Sequence, residues 1–319
     1  MALSLGAEGV SHLEGGEWEA SVNYRYLDAQ RGYVGTQHWA QYDDAVGAHL
    51  TLHSWDLQAT YQFTPRLSAT FTMPFIAGEA SDKISHDRGR GITRAGGLGD
   101  IRLVGNVWLL DSEEYEDGNV ALGIGVKAPT GNEESTDEFR IGTNGKELRD
   151  VDIAIQPGDG GWGADVEVTG YHKLFHDRLY GYVSGFYLFN PRNKNGALTQ
   201  INVYGQRRPV SVPDQYLGRV GVSWAIWPSE GVTVSVGGRI DGQPPRDAIG
   251  DSDGFRRPGY SIYVEPGVSW THDKNTFSVF IPAGVAYNRQ RNTLDEQFHG
   301  HGPGAFAPYL IIAGYSRRF

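Results

Sequence analysis

The chain closes on Ala307-Pro-Tyr-Leu-Ile-Ile-Ala-Gly-Tyr-Ser-Arg-Arg-Phe319, a stretch that runs to the last residue and ends on a phenyl ring. Read with a period of two, Tyr309, Ile311, Ala313, Tyr315 and Phe319 share one face, and Gly314, Ser316 and Arg318 share the other. Alternate residues of a strand point to opposite faces, so this is a strand with one apolar side. Arg317 interrupts the apolar side. Its aliphatic stem suits an interface, where the stem lies on apolar surface and the head stays in water.

The same grammar extends back to the start of the pattern. In Glu17-Trp-Glu-Ala-Ser-Val-Asn-Tyr-Arg-Tyr26 the apolar face is Trp18, Ala20, Val22, Tyr24 and Tyr26. Strands follow at 53–63 and 67–75, joined at Thr64-Pro65, then at 99–110 and 119–127 across a short acidic connection. Further pairs are 163–175 with 179–190, 215–227 with 231–242, and 259–271 with 275–287, joined by His176-Asp-Arg178, Pro228-Ser-Glu230 and His272-Asp-Lys-Asn275. Loops at about 27–48, 78–97, 128–162, 191–214, 243–258 and 288–305 separate the pairs. Residues 1–16 are small, Gly-rich and unpatterned, and read as a flexible lead-in to a single domain over 17–319. Parity within 179–190 stays open, because Tyr180, Tyr182 and Phe186 compete with Val183, Tyr187 and Phe189.

About twelve strands of roughly ten to fourteen residues result, joined alternately by short and long connections. A strand of about 11 residues tilted near 45° crosses a hydrocarbon layer, whereas strands of globular sandwiches are nearer five or six. The expected fold is therefore all-β, a transmembrane antiparallel up-and-down barrel with short turns on the periplasmic side and long loops outside. Aromatics near strand ends, including Trp18, Trp55, Trp162, Trp224, Trp227, Trp270, Tyr287, Tyr309 and Phe319, match interfacial girdles. A soluble propeller or sandwich accounts for strands and for the 44 glycines, but not for apolar faces of this length or for the long-short rhythm.

Bulk properties agree. No run approaches the roughly 18 apolar residues of a transmembrane helix. No cysteine is present, which removes disulfides and thiolate metal sites and suits a chain that crosses an oxidising compartment unfolded. A net charge of -10 argues against nucleic acid as a partner. Met-Ala-Leu-Ser-Leu-Gly at the start has no basic segment leading into an apolar run, so no signal peptide is expected in this numbering.

The terminal strand ending in Phe319 resembles the closing strand of bacterial outer-membrane barrels, with Arg317 a departure from their pattern. Three further stretches, Gly97-Leu-Gly-Asp-Ile-Arg102, Gly125-Val-Lys-Ala-Pro-Thr-Gly131 and Ile155-Gln-Pro-Gly-Asp-Gly-Gly-Trp162, resemble the outer-membrane channel family named for transport in the meta-pathway of phenol degradation. So does Gly16-Glu-Trp-Glu-Ala-Ser-Val-Asn-Tyr-Arg-Tyr26 with Gly32-Tyr-Val-Gly35. The resemblance implies an outer-membrane location, a lipid environment and passive diffusion of small solutes, aromatic or hydrophobic compounds among them.

By parity the lumen carries Glu17, Glu19, Asp56, Asp100, Asp165, Glu167, Asp241 and Glu265, opposed by Arg25, Arg102, Lys127, Lys173, Arg219 and Arg239. Mixed signs predict weak ion selectivity or ion pairs that bridge the wall. One arrangement is a basic ladder of Arg25, Arg102, Lys127, Arg219 and Arg239 facing acids across a constriction; the other is simple interior salt bridging. The acidic, Gly-rich loop over 130–162 either folds inward as a constriction or projects to an envelope protein partner, a role in which the barrel itself is plugged.

Catalysis and cofactors are not expected. Ser85-His86-Asp87 are consecutive and cannot converge as a triad, and no Gly-x-Ser-x-Gly is present. His299 and His301 are the only metal candidates, two loop histidines among glycines. Asp251-Ser-Asp-Gly254 opens like a calcium loop but lacks the closing glutamate, and reads as a turn.

Overall fold

A computed structural model describes residues 13–41, 47–83, 90–111, 115, 117–141, 145–175 and 178–319. Twelve antiparallel strands close on themselves. They are β1 (Trp18–Ala29), β2 (His49–Gln62), β3 (Leu67–Lys83), β4 in two pieces (Arg90–Leu98 and Ile101–Trp108), β5 (Gly118–Ala128) and β6 (Gly163–Phe175). There follow β7 (Leu179–Phe189), β8 (Gln215–Trp227), β9 (Val232–Gln243), β10 (Gly259–His272), β11 in two pieces (Asn275–Phe280 and Ala283–Arg289) and β12 (Leu310–Arg318). Each pairs with its neighbours in sequence, and β1 closes on β12 from Glu19 opposite Arg318 to Leu27 opposite Leu310.

The alternation decides which way each side chain points. Ile124, Val220 and Val285 are 75, 62 and 61% exposed on the outer face, and Trp18, Trp162, Trp227 and Phe319 join them. A continuous apolar belt of this kind belongs in lipid, since soluble monomers avoid it. Short turns close one end. Leu67 donates its amide to the Thr64 hydroxyl, and a single 3-10 turn over Pro228–Glu230 joins β8 to β9, with Gly231 left-handed at φ 72°. In a barrel of this type the short-turn end is periplasmic and the long-loop end extracellular.

Two strands run further than the alternation announces. β3 and the first piece of β4 pair from Phe75 opposite Leu98 to Lys83 opposite Arg90, where sequence suggests a loop over 78–97. That hairpin stands above the apolar belt, so it has no apolar face to reveal it. In β11, Ile262 faces Ala286 while Tyr263 faces Gly284, leaving Val285 as an extra residue. This bulge reverses parity, and Tyr287, expected in the outer girdle, instead turns inward and donates its hydroxyl to the Ala307 carbonyl at 3.0 Å.

Residues 1–12 of the lead-in, Ser85-His86-Asp87, and His176 with Asp177 of their turn lie outside the described residues. Residues 13–16 dock at the short-turn end, where Leu13 is buried and the Gly16 amide donates to the Gln62 carbonyl at 2.7 Å. The core sits in the extracellular half of the interior: Leu50, Leu52, Ile76, Leu310 and Ile312 from the wall close around Val151 and Ile155 from the loop between β5 and β6.

Candidate functional site

The loop between β5 and β6 folds inward. Its first part is a short hairpin, Thr136–Ile141 with Gly145–Asp150, and its second part, residues 151–161, lies inside the barrel with Val151 and Ile155 fully buried. A Cβ on Gly78 would sit 2.7 Å from the Ile155 side chain, so the wall is bare where the plug presses on it. Burying an isoleucine side chain contributes roughly 1.5–3 kcal/mol. A salt bridge fixes the other side of the plug: the two terminal nitrogens of Arg257 donate to the two carboxylate oxygens of Asp152, each at 2.6 Å. Burial opposes the charge on Asp152, yet this guanidinium outweighs it and holds the carboxyl below its ordinary range.

The three stretches that resemble the channel family meet in one knot at the foot of the plug. Asp100 sits in the break between the two pieces of β4 and accepts the amides of Gly131 and Asp159, both at 3.0 Å. Lys127 at the end of β5 donates to Asp159 and lies 3.6 Å from Asp100. The Thr130 hydroxyl donates to the Gly99 carbonyl at 2.7 Å and accepts the Ile101 amide at 3.0 Å. A Cβ on Gly131 would lie 2.7 Å from the Gly158 backbone, so the two loop arms touch only because both are glycine.

Below the knot the lumen is girdled by ion pairs. Arg102 donates Nε to Asp165 at 3.0 Å and Nη2 to Glu167 at 2.6 Å, with its guanidinium 5.2 Å from the centre of the Phe186 ring. On the facing arc, Arg219 of β8 and Arg239 of β9 stand directly opposite one another. Like charges so placed repel. Glu265 of β10 accepts from both, Arg219 Nε at 2.7 Å and Arg239 Nη1 at 3.2 Å, and is 1% exposed. Both centres span a whole strand: Arg102 reaches from β4 across β5 to β6, and Arg219 from β8 across β9 to β10. The strand crossed carries a glycine on its inner face each time, Gly123 and Gly237. Arg25 of β1 lies buried within the fields of Asp56, Arg239 and Asp241.

The sequence-predicted set therefore divides. Arg25, Asp56, Arg102, Asp165, Glu167, Arg219, Arg239, Asp241 and Glu265 line the girdle, and Asp100 and Lys127 join the knot. Glu17, Glu19 and Lys173 stand at the periplasmic rim, where Glu17 accepts the Glu14 amide and Lys173 pairs with Asp117 at 2.8 Å. His301 turns its Nε2 to the Arg289 carbonyl at 2.6 Å. Among the described residues no three His, Cys, Asp or Glu are grouped as metal ligands. The parity of β7 resolves with Tyr182 and Phe186 inward, under Arg219 and Arg102, and Val183 outward. Sequence reasoning missed Asp152, Asp159 and Arg257; the run Pro157-Gly-Asp-Gly-Gly161 was the one local signal.

Three voids follow one another down the interior. One of about 170 Å3 lies under the extracellular loops, one of about 40 Å3 lies between the knot and Arg102, and one of about 340 Å3 occupies the periplasmic half. Serine and threonine line the last, with Trp108, Tyr171 and Tyr182.

No protein-family model matches the chain, and no curated protein sequence does. Among solved structures, an outer membrane channel from Pseudomonas putida F1 superposes with a TM-score of 0.64 at 14% identity, over 98% of this chain and 100% of that one. The translocator domain of the autotransporter NalP from Neisseria meningitidis gives 0.48 at 9% identity, covering 97% and 90%. The Ralstonia pickettii toluene transporter TbuX gives 0.46 at 12% identity, covering 96% and 90%. The first establishes the fold, that of an outer-membrane barrel.

Proposed function

We propose that this chain is an outer-membrane channel for passive diffusion of small solutes, aromatic or otherwise hydrophobic ones among them, with residues 151–161 as its plug. The observation that carries the reading is the succession of voids of about 170, 40 and 340 Å3 along one interior. A barrel that is only a scaffold fills with side chains, as the smallest barrels do. The solute class rests on the resemblance of the three glycine and aspartate stretches to the phenol-pathway channel family, and it gains weight from their convergence on the foot of the plug. The fold likeness to the Pseudomonas putida channel agrees with the transport reading.

The girdle is the charged stretch of the route below the plug in this reading. Its basic groups each face a carboxylate, so an ion passing it meets little net field, and selectivity between cations and anions is weak. Arg102, Arg219, Arg239 and Glu265 set its bore, while Glu17, Glu19 and Lys173 act at the periplasmic mouth. No catalytic role is assigned to any residue.

Single-channel recording of the refolded chain in a planar bilayer under a salt gradient tests the reading. Small discrete steps with a reversal potential near zero are expected. A barrel that inserts, stays silent at every voltage and does not speed uptake of a neutral solute into liposomes would overturn it, and would favour the loops as a docking surface for an envelope protein.

A further inference from the structure

The void under the extracellular loops has a wall of mixed character. Leu50, Ile153, Ala154, Ala197, Val210 and Ala305 supply its apolar part. Arg256 and Arg257 also line it, but neither offers free charge. Arg257 is held by both oxygens of Asp152, and Arg256 by both oxygens of Asp247 and the Ser211 hydroxyl. Gln156 is likewise engaged, its amide oxygen and nitrogen both bonded to the Ser135 backbone at 3.0 and 3.2 Å. Of the other polar groups in the wall, Asp159 is held by Lys127, Ser211 accepts from Arg256, and Asn195 gives its side-chain oxygen to the Ala197 amide at 3.1 Å. Gln243 lines the void as well, with its side-chain amide engaged by no other group among the described residues.

Size and charge together select an occupant. An apolar cavity of about 150 Å3 in a protein core admits benzene. At about 170 Å3 this one accepts a single six-membered ring with one small substituent. A carboxylate brought here would find both guanidinium groups already neutralised, and taking an unpaired charge out of water is strongly unfavourable. A neutral hydroxyl needs only an amide.

We propose that this void is a solute-binding site, under the loops and against the outer surface of the plug, for a neutral single-ring compound carrying a hydroxyl that pairs with Gln243. It deepens the channel reading, on which it rests for the supply of solute, by placing a stopping point on the route and excluding the charged form. Aromaticity is not required by the wall; ring size and neutrality are.

The probe is 4-fluorobenzyl alcohol, with 4-fluorobenzoate as its charged counterpart, titrated into the refolded full chain in detergent and followed by fluorine NMR. A saturable component for the alcohol is expected, at least about tenfold tighter than for the benzoate at neutral pH. Ala154→Leu and Ala305→Leu each put bulk into the void, and each should weaken the alcohol by about tenfold or more while the folded barrel keeps its heat-modifiable gel mobility. Gln243→Leu should weaken the alcohol and leave fluorobenzene unchanged. Absence of a saturable component, equal affinity for alcohol and benzoate, or undiminished binding in both filled variants would overturn the proposal. Should both filled variants fail to fold, the alcohol-to-benzoate ratio of the native chain decides alone. A silent barrel that still binds the alcohol would remove the channel reading and leave the site; a conducting barrel that does not bind it would do the reverse.

Discussion

The two halves of the interior share the same strands and differ in kind. Along the inner face of β2, Leu50 and Leu52 give way to Ser54, Asp56, Gln58, Thr60 and Gln62, and along β12, Leu310 and Ile312 give way to Gly314 and Ser316. The upper half is a socket that closes on Val151 and Ile155 as a globular core does, while the lower half keeps hydroxyls around an open space. In a barrel wall, then, inward-facing aliphatic residues mark where a loop seats, and inward-facing hydroxyls mark where none does. Lipid fixes the outer face alone.

That contrast breaks most visibly if the plug is removed. Replacing residues 152–158 with a Gly-Ser linker should raise single-channel conductance several-fold while the barrel still folds; unchanged conductance would mean the girdle, not the plug, limits flow. The lower half is more sensitive to charge. Glu265→Ala leaves Arg219 and Arg239 side by side without their shared acid and should cost about 3–5 kcal/mol in urea titrations of the folded barrel, with Glu265→Gln milder. In the upper half, Ile155→Ala should loosen the plug by about 2–4 kcal/mol, seen as protease cleavage within 151–161 at an unchanged unfolding midpoint of the wall.

Acid sharpens the same distinction. Asp152 is held below its ordinary value, so the stability it lends the plug is complete above its unfolded pKa of about 3.9 and is lost only as pH falls through its lower folded value. Conductance should rise as pH falls below about 4, and Asp152→Asn should abolish that step. The smallest effect belongs to the outside. Arg317 lies with its guanidinium 5.5 Å from the Phe319 ring centre, and Arg317→Phe should change barrel stability by less than about 1 kcal/mol and conductance not at all.

How much of this was legible follows from what enforces each feature. The twelve strands and their facing were readable because lipid demands an apolar outer side at every second residue, from Trp18 to Phe319. β7 resisted because it carries aromatics on both faces: Tyr182 and Phe186 pack under arginines, while the Tyr187 hydroxyl donates to Asp214 at 2.9 Å. Parity also put Arg102, Asp165 and Glu167 on one side of the wall. Which base meets which acid depended on strand order and on Gly123 and Gly237 clearing the way. Inward folding of the 130–162 loop was one of two readings, and the choice between them was illegible because its two anchors, Val151 and Ile155, are too few to make a period, and because Arg257 lies more than a hundred residues from Asp152.

The wiring of the plug also dictates an order of events. The knot of Asp100, Lys127, Thr130 and Asp159 draws only on residues 97–162, and it forms as soon as β3 to β6 have zipped together. Short-range contacts close early because little chain entropy is lost in making them. The clamp from Arg257 arrives three strands later, just before β10 joins the wall, and the seam of β1 with β12 comes last of all. The barrel is thus built around a stopper already hinged to one side, and the final strands lock it rather than admit it.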